Sequence, residues 1–117
     1  MANTFKLVTK AGVTSADVIY TVASSTTTVV LGIMLGNTTT SQVTATVTLS
    51  SDTSSRPPSG TNSGNNADVE LVTNAPIPSG SSLELLAGNK VVMETTDALK
   101  LTASGATDIT VSIMEIT

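Results

Sequence analysis

Apolar and polar residues alternate along this chain with a period of two. A half-buried β-strand requires that period, because its successive side chains point to opposite faces. The clearest run is Val43-Thr44-Ala45-Thr46-Val47-Thr48-Leu49, with Val43, Ala45, Val47 and Leu49 on one face and threonines on the other. Such a strand belongs to a sheet with one dry and one solvated side. Comparable runs occupy residues 4–10, 17–22, 27–35, 68–73, 82–86, 90–95, 98–103 and 108–116. No stretch shows the repeat of an amphipathic helix. The pattern predicts a single all-β domain over residues 1–117, an antiparallel β-sandwich (jelly-roll or immunoglobulin-like) of about eight or nine short strands.

The joints fit this reading. Ala87-Gly88-Asn89 predicts a tight hairpin between Leu86 and Lys90, and residues 36–41 predict a longer polar turn. Pro76 and Pro78 keep residues 74–80 out of any central strand, because proline donates nothing to a ladder, and suit a crossing between sheets. Residues 50–66 (SSDTSSRPPSGTNSGNN) contain no large apolar side chain. They predict a flexible polar loop at about 50–67. That loop is either a contact element, with Ser54, Arg56, Pro57, Pro58 and Asn62 as its contact residues, or a tolerated insertion.

Composition changes the picture in three ways. Phe5 and Tyr20 are the only aromatic residues, so the core must be aliphatic and the monomer modestly stable, with association expected to supply the rest. The chain carries 22 Thr and 15 Ser against 12% charged residues, so hydroxyls have taken over the solubilising role of charge. The net charge of −4 with five Lys and Arg excludes a nucleic-acid partner, which would need a basic patch. The longest apolar run, Val29 to Leu35, is too short to span a membrane, so no membrane partner is expected. The N-terminal residues lack the basic start and apolar run of a signal peptide, so synthesis in the cytoplasm is expected.

Candidate chemistry is sparse. Histidine and cysteine are absent, which removes the commonest general base, the commonest neutral metal ligand and all thiol chemistry. A serine nucleophile would need a lysine beside it, and Lys6, Lys10, Arg56, Lys90 and Lys100 are scattered. Residues 59–64 resemble a Gly-rich loop but lack the lysine of a phosphate site. Glu70, Glu84, Glu94 and Glu115 sit in strands where alternation directs them outward, as solvated charges. Glu84, Glu94, Asp97 and Glu115 would converge only if hairpins stacked them. Asp52 and Asp68 flank the polar loop without EF-hand spacing. The expectation is a non-enzymatic protein with no catalytic residues, no cofactor and no metal. The sequon Asn37-Thr38-Thr39 means little without a secretion signal.

One stretch is apolar on both faces. In residues 29–35, Val29, Leu31, Ile33 and Leu35 alternate with Val30, Gly32 and Met34. A strand buried on both sides belongs to a sheet covered twice. The second cover is a curled sandwich, another subunit or a ligand. On the subunit reading, Val30, Gly32 and Met34 form the interface, with Gly32 admitting a partner's backbone.

The order of these pieces resembles a family. Tyr20-Thr21-Val22 precedes the double-sided strand ending in Gly36-Asn37 and a Thr/Ala-rich alternating strand. After the polar loop come Ala75-Pro76-Ile77-Pro78-Ser79-Gly80, a Leu-rich hairpin, Thr96-Asp97-Ala98-Leu99-Lys100-Leu101 and Asp108-Ile109-Thr110-Val111-Ser112-Ile113. The arrangement, from about Asp17 to Ile116, is similar to small β-sandwich virion structural proteins of tailed bacteriophages. The long polar loop departs from that pattern. The resemblance implies a place in the virion as a capsid decoration or cement protein, or as a tail, neck or fibre component. A carbohydrate- or receptor-binding module is a further alternative, though sugar sites usually stack on aromatic rings. The implied partners are other copies of the chain (a dimer or trimer) and the major capsid protein or another virion protein. Attachment would use open strand edges, the polar loop or an apolar patch.

Overall fold

The computed structural model describes residues 2–51, 68–86 and 88–117. Among them nine strands form: β1 (Asn3–Val13), β2 (Asp17–Thr21), β3 (Thr27–Asn37), β4 (Val43–Ser50), β5 (Val69–Ile77), β6 (Ser82–Leu85), β7 (Val91–Met93), β8 (Ala98–Ala103) and β9 (Thr107–Ile116). Every pairing is antiparallel. One sheet runs β1-β9-β3, with β6 and β7 both on the far edge of β3; the other runs β2-β8-β4-β5. The five expected contact residues of the polar loop, Ser54, Arg56, Pro57, Pro58 and Asn62, lie outside the described residues.

The expected β6–β7 hairpin does not form. β6 pairs with residues 33–36 of β3 and β7 with residues 28–30 of the same strand. The two are therefore successive pieces of one interrupted edge strand. Leu83, Leu85, Val91 and Met93 all pack on the core, and a single strand laid along β3 lets all four reach it. Ala87, in the expected turn, lies outside the described residues. With β6 and β7 taken as one, the chain changes sheet at every connection except β4 to β5. This winding decides between the two sandwich types: it is a jelly roll.

The core is aliphatic, as the composition requires. Ile33, Leu35, Ile109, Val111 and Ile113 of the first sheet meet Val47, Leu99, Leu101 and Ile77 of the second. Pro76 is tolerated inside β5 because β5 is an edge strand, and residues 78–81 then cross to the first sheet. Gly105, between β8 and β9, is required by close approach: a Cβ there would stand 2.8 Å from Val43 Cγ1.

Bulges set the phase of the strands. In β3, Val30 pairs with Ile113 and Gly32 with Ser112, leaving Leu31 as the extra residue. A bulge of one residue exchanges inside and outside for everything beyond it. Thr28 and Val30 therefore face the core before Leu31, and Ile33 and Leu35 after it. In β2 a register shift at Ile19 brings Tyr20 opposite the buried Leu99. A third shift, between Lys10 and Val13, is made by Gly12 at φ 67°, which a side chain would strain.

The sheet edges are not open templates. Lys6 and Lys10 of β1 oppose the core residues Ile113 and Ile109, so this edge strand carries inward-pointing charges. β2 is short and bulged, β5 carries Pro76 and two register shifts, and β6/β7 is interrupted. These are the devices by which sheets avoid edge-to-edge pairing. The expected attachment through open edges loses its physical basis.

Candidate functional site

Directly opposed residues of neighbouring strands share a face, so the register defines rows across the outer side of the first sheet. One row is Phe5, Met114, Val29 and Val92, from β1, β9, β3 and β7. The next is Leu7, Ser112 and Gly32; the third is Thr9, Thr110, Met34 and Glu84. Of the six large exposed apolar side chains among the described residues, four lie here: Phe5 (72% exposed), Leu7 (65%), Val92 (63%) and Met34 (46%). Three adjacent rows thus carry one charge, Glu84, at their margin; Asp108 follows in the next row, opposite Gly36. A hollow of about 310 Å³ opens beside the middle row, where β6 and β7 part, and is lined by Leu31, Gly32, Met34, Leu86, Gly88 and Ser112 among others.

Gly32 forms the floor of that hollow. A Cβ built on it meets nothing within 4 Å, and its φ is not positive. Nothing among the described residues requires glycine at this position, although glycine weakens a strand interior.

The expected interface triplet is split by the bulge. Gly32 and Met34 face outward, but Val30 is only 1% exposed and belongs to the core. Strict alternation gave Val30 the wrong face because Leu31 adds one residue to the strand. Val29 takes its place on the outer side. Sequence reasoning missed Phe5, Leu7 and Val92. In residues 5–10 apolar and basic residues alternate, and either set could have faced inward; the lysines do.

A second polar constellation crosses the sandwich. Tyr20 donates its hydroxyl proton to Glu115 Oε2 at 2.5 Å. The Thr28 hydroxyl, 2.8 Å from Tyr20 Oη, must then donate to it, because a phenol has a single proton. Lys6 Nζ lies 2.7 Å from Glu115 Oε1. Glu115 was expected to look outward. Instead it falls on the inner face, with its side chain only 14% exposed, because β9 keeps the phase of Ile113. The Lys6 ammonium, then the Tyr20 hydroxyl, hold the Glu115 carboxyl below the ordinary carboxylate range against the opposing effect of burial. Burial, followed by the bond to Glu115, pushes the Tyr20 phenol up. With the Tyr20 hydroxyl bonded inside the sandwich, Phe5 is the more accessible aromatic ring.

The sign of the pH dependence follows. A carboxyl with a depressed folded pKa contributes stability that is present above its unfolded value, about 4.3, and is lost as pH falls through the folded value. A phenol with a raised pKa contributes stability that is lost above about pH 10. Denaturation midpoints should therefore fall on acidification from about pH 4.3 downward. Part of that fall should vanish in Glu115→Gln; an unchanged acid limb in the variant would show that Glu115 contributes none of it.

Asn37 forms the other buried polar knot. Its Nδ2 donates to Ser41 O and Ile77 O, each at 2.8 Å, while Oδ1 accepts from Thr39 N at 2.8 Å and Thr39 Oγ1 at 2.7 Å. The amide of the sequon is thus 3% exposed and fully bonded, which leaves it inaccessible for glycan attachment in the folded protein. Among the described residues, no three acidic side chains come together as a metal site.

No protein-family model and no curated protein matches the chain. Among solved structures, it is similar to a protein of Bacillus endospore appendages, which form a family of disulfide-linked pili. That match has a TM-score of 0.49 and 15% identity over 99% of this chain and 87% of the other. It is also similar to a protein of the T13 IBDV viral particle, with a TM-score of 0.33 and 10% identity over 97% of this chain and 35% of that one. At these scores and identities neither likeness carries a functional argument.

Proposed function

We propose that this protein is a non-enzymatic structural subunit of a bacteriophage virion, a decoration or cement protein that packs on the capsid shell and stabilises it. The observation that supports this reading best is the outer face of the first sheet. One row of it, Phe5, Met114, Val29 and Val92, is apolar across four strands, and Leu7 and Met34 add exposed apolar side chains in the next two rows. Solvated sheet faces are normally polar, and clustered apolar exposure marks a contact surface. The low charge of the chain fits close packing among neighbours, where an unpaired charge is costly to bury. Jelly rolls occur in viral capsid domains and also in lectins, so the fold alone is an analogy. The bonded Tyr20 hydroxyl speaks against an aromatic sugar platform.

A cement protein acts by linkage. A ligand that binds only the assembled form stabilises it by RT ln(1 + [L]/Kd), about 2.7 kcal/mol per site at a hundredfold excess over Kd. Particles lacking this protein should release their genome at lower temperature than complete ones. Equal release temperatures, with the protein confined in a few copies to the tail or neck, would replace the cement reading by that of a tail component.

A further inference from the structure

The partners proposed above include other copies of the chain, and the register across the first sheet indicates how one such copy would dock. Ser112 of β9 pairs with Leu7 on one side and Gly32 on the other; Met114 likewise pairs with Phe5 and Val29. A protruding side chain and a hollow therefore stand symmetrically about β9 on one face. Rotation by a half turn about an axis running along β9, above the sheet, places Leu7 of one copy over the Gly32 hollow of the other, and the reverse. The same operation sets Phe5 against Val29 and Met114 against Met114. A twofold contact requires this reciprocity, in which residue i meets j and j meets i.

We infer that the outer face of the β1-β9-β3 sheet binds a second copy of this chain face to face, with Leu7 seated in the Gly32 hollow about a twofold axis along β9. Rotation about β9 superposes three strands of each copy, β1, β9 and β3. A face three strands wide and about ten residues long, at about 4.8 Å and 3.3 Å spacing, covers roughly 480 Å². Two such faces bury roughly 950 Å², the size of a weak, concentration-dependent contact. Glycine at position 32 gains a reason that no described residue supplies, since a side chain there would fill the hollow. The blunted edges leave face-on contact as the route to association. Of the charged residues on this face, Asp108 of β9 meets its own symmetry mate, at the exposed rim. Salt screens such repulsion, so the dimer tightens as salt is added.

The inference rests on the structural-subunit reading but is tested without a particle. The chain has no cysteine, so single-cysteine variants report cleanly. A short bis-maleimide that spans the roughly 10 Å between packed sheets should cross-link Ser112→Cys to itself and Leu7→Cys to Gly32→Cys in a mixture. Neither Leu7→Cys nor Gly32→Cys alone should cross-link. Light scattering on the unmodified protein at high micromolar concentration should give the mass of a dimer. A monomer there would overturn the inference, as would self-cross-linking of Gly32→Cys and Leu7→Cys, which places the axis across the strands. Either result leaves the virion reading standing, and loss of the virion reading leaves the dimer standing.

Discussion

Replacing Asn37 with alanine should destabilise the protein by about 3 kcal/mol or more, a large share of the roughly 5–15 kcal/mol available to a small domain. Four hydrogen bonds end on this one side chain. Its amide joins the end of β5 to the turn after β3 through Ile77 O and Ser41 O, and its carbonyl organises that turn through Thr39. Alanine leaves Ile77 O and Thr39 N without this partner, and each buried group so orphaned costs about 1–3 kcal/mol, whereas Ser41 O still has the Thr39 hydroxyl at 2.7 Å. Asn37→Asp is the sharper variant. It keeps the acceptor toward Thr39 but turns an oxygen toward the two carbonyls, so it should be at least as damaging near neutral pH. Urea denaturation measures both. A loss below about 1 kcal/mol for alanine, the worth of one ordinary hydrogen bond, would mean that the knot relaxes freely.

The second large effect separates the two faces of β3. Val30→Glu should abolish cooperative folding, because Val30 is enclosed on the core side and an unpaired carboxylate buried there costs several kcal/mol. Met34→Glu, on the outer face, should leave the denaturation midpoint nearly unchanged and act on association instead. Strict alternation without the bulge predicts the same outcome for both positions. A folded Val30→Glu protein with ordinary stability would show that the phase of β3 is not the one described.

Much of the fold was legible in the sequence. Strands appeared where period two ran unbroken by proline or glycine, as in residues 43–49 and 98–103. The aliphatic core followed from the near absence of aromatic rings. A crossing between sheets was announced by Pro76 and Pro78 over residues 74–80, but it occupies 78–81 because the edge strand β5 continues to Ile77. Less of the candidate site was legible. Gly32 and Met34 were marked by the doubly apolar strand, but Phe5, Leu7 and Val92 were not, and Val30 was given the wrong face. The reason lies in the register. A bulge at Leu31 is created by pairing with β9, about eighty residues away in the chain, and has no local signature.

The same reason divides what the sequence determined from what the tertiary structure decided. Alternation, β-branched content and turn residues are local properties, and they determined by themselves that the chain is all-β, one-sided in most strands and without histidine or thiol chemistry. Which strands share a sheet, which residue is extra in a pair, and whether Lys6 or Leu7 faces inward depend on cross-strand partners far away in the chain. A shift of a single residue reverses every side chain beyond it. Only the packed sandwich could place Glu115 against Tyr20 and Lys6, turn β6 and β7 into one interrupted edge, and assemble Phe5, Met114, Val29 and Val92 into a single apolar row.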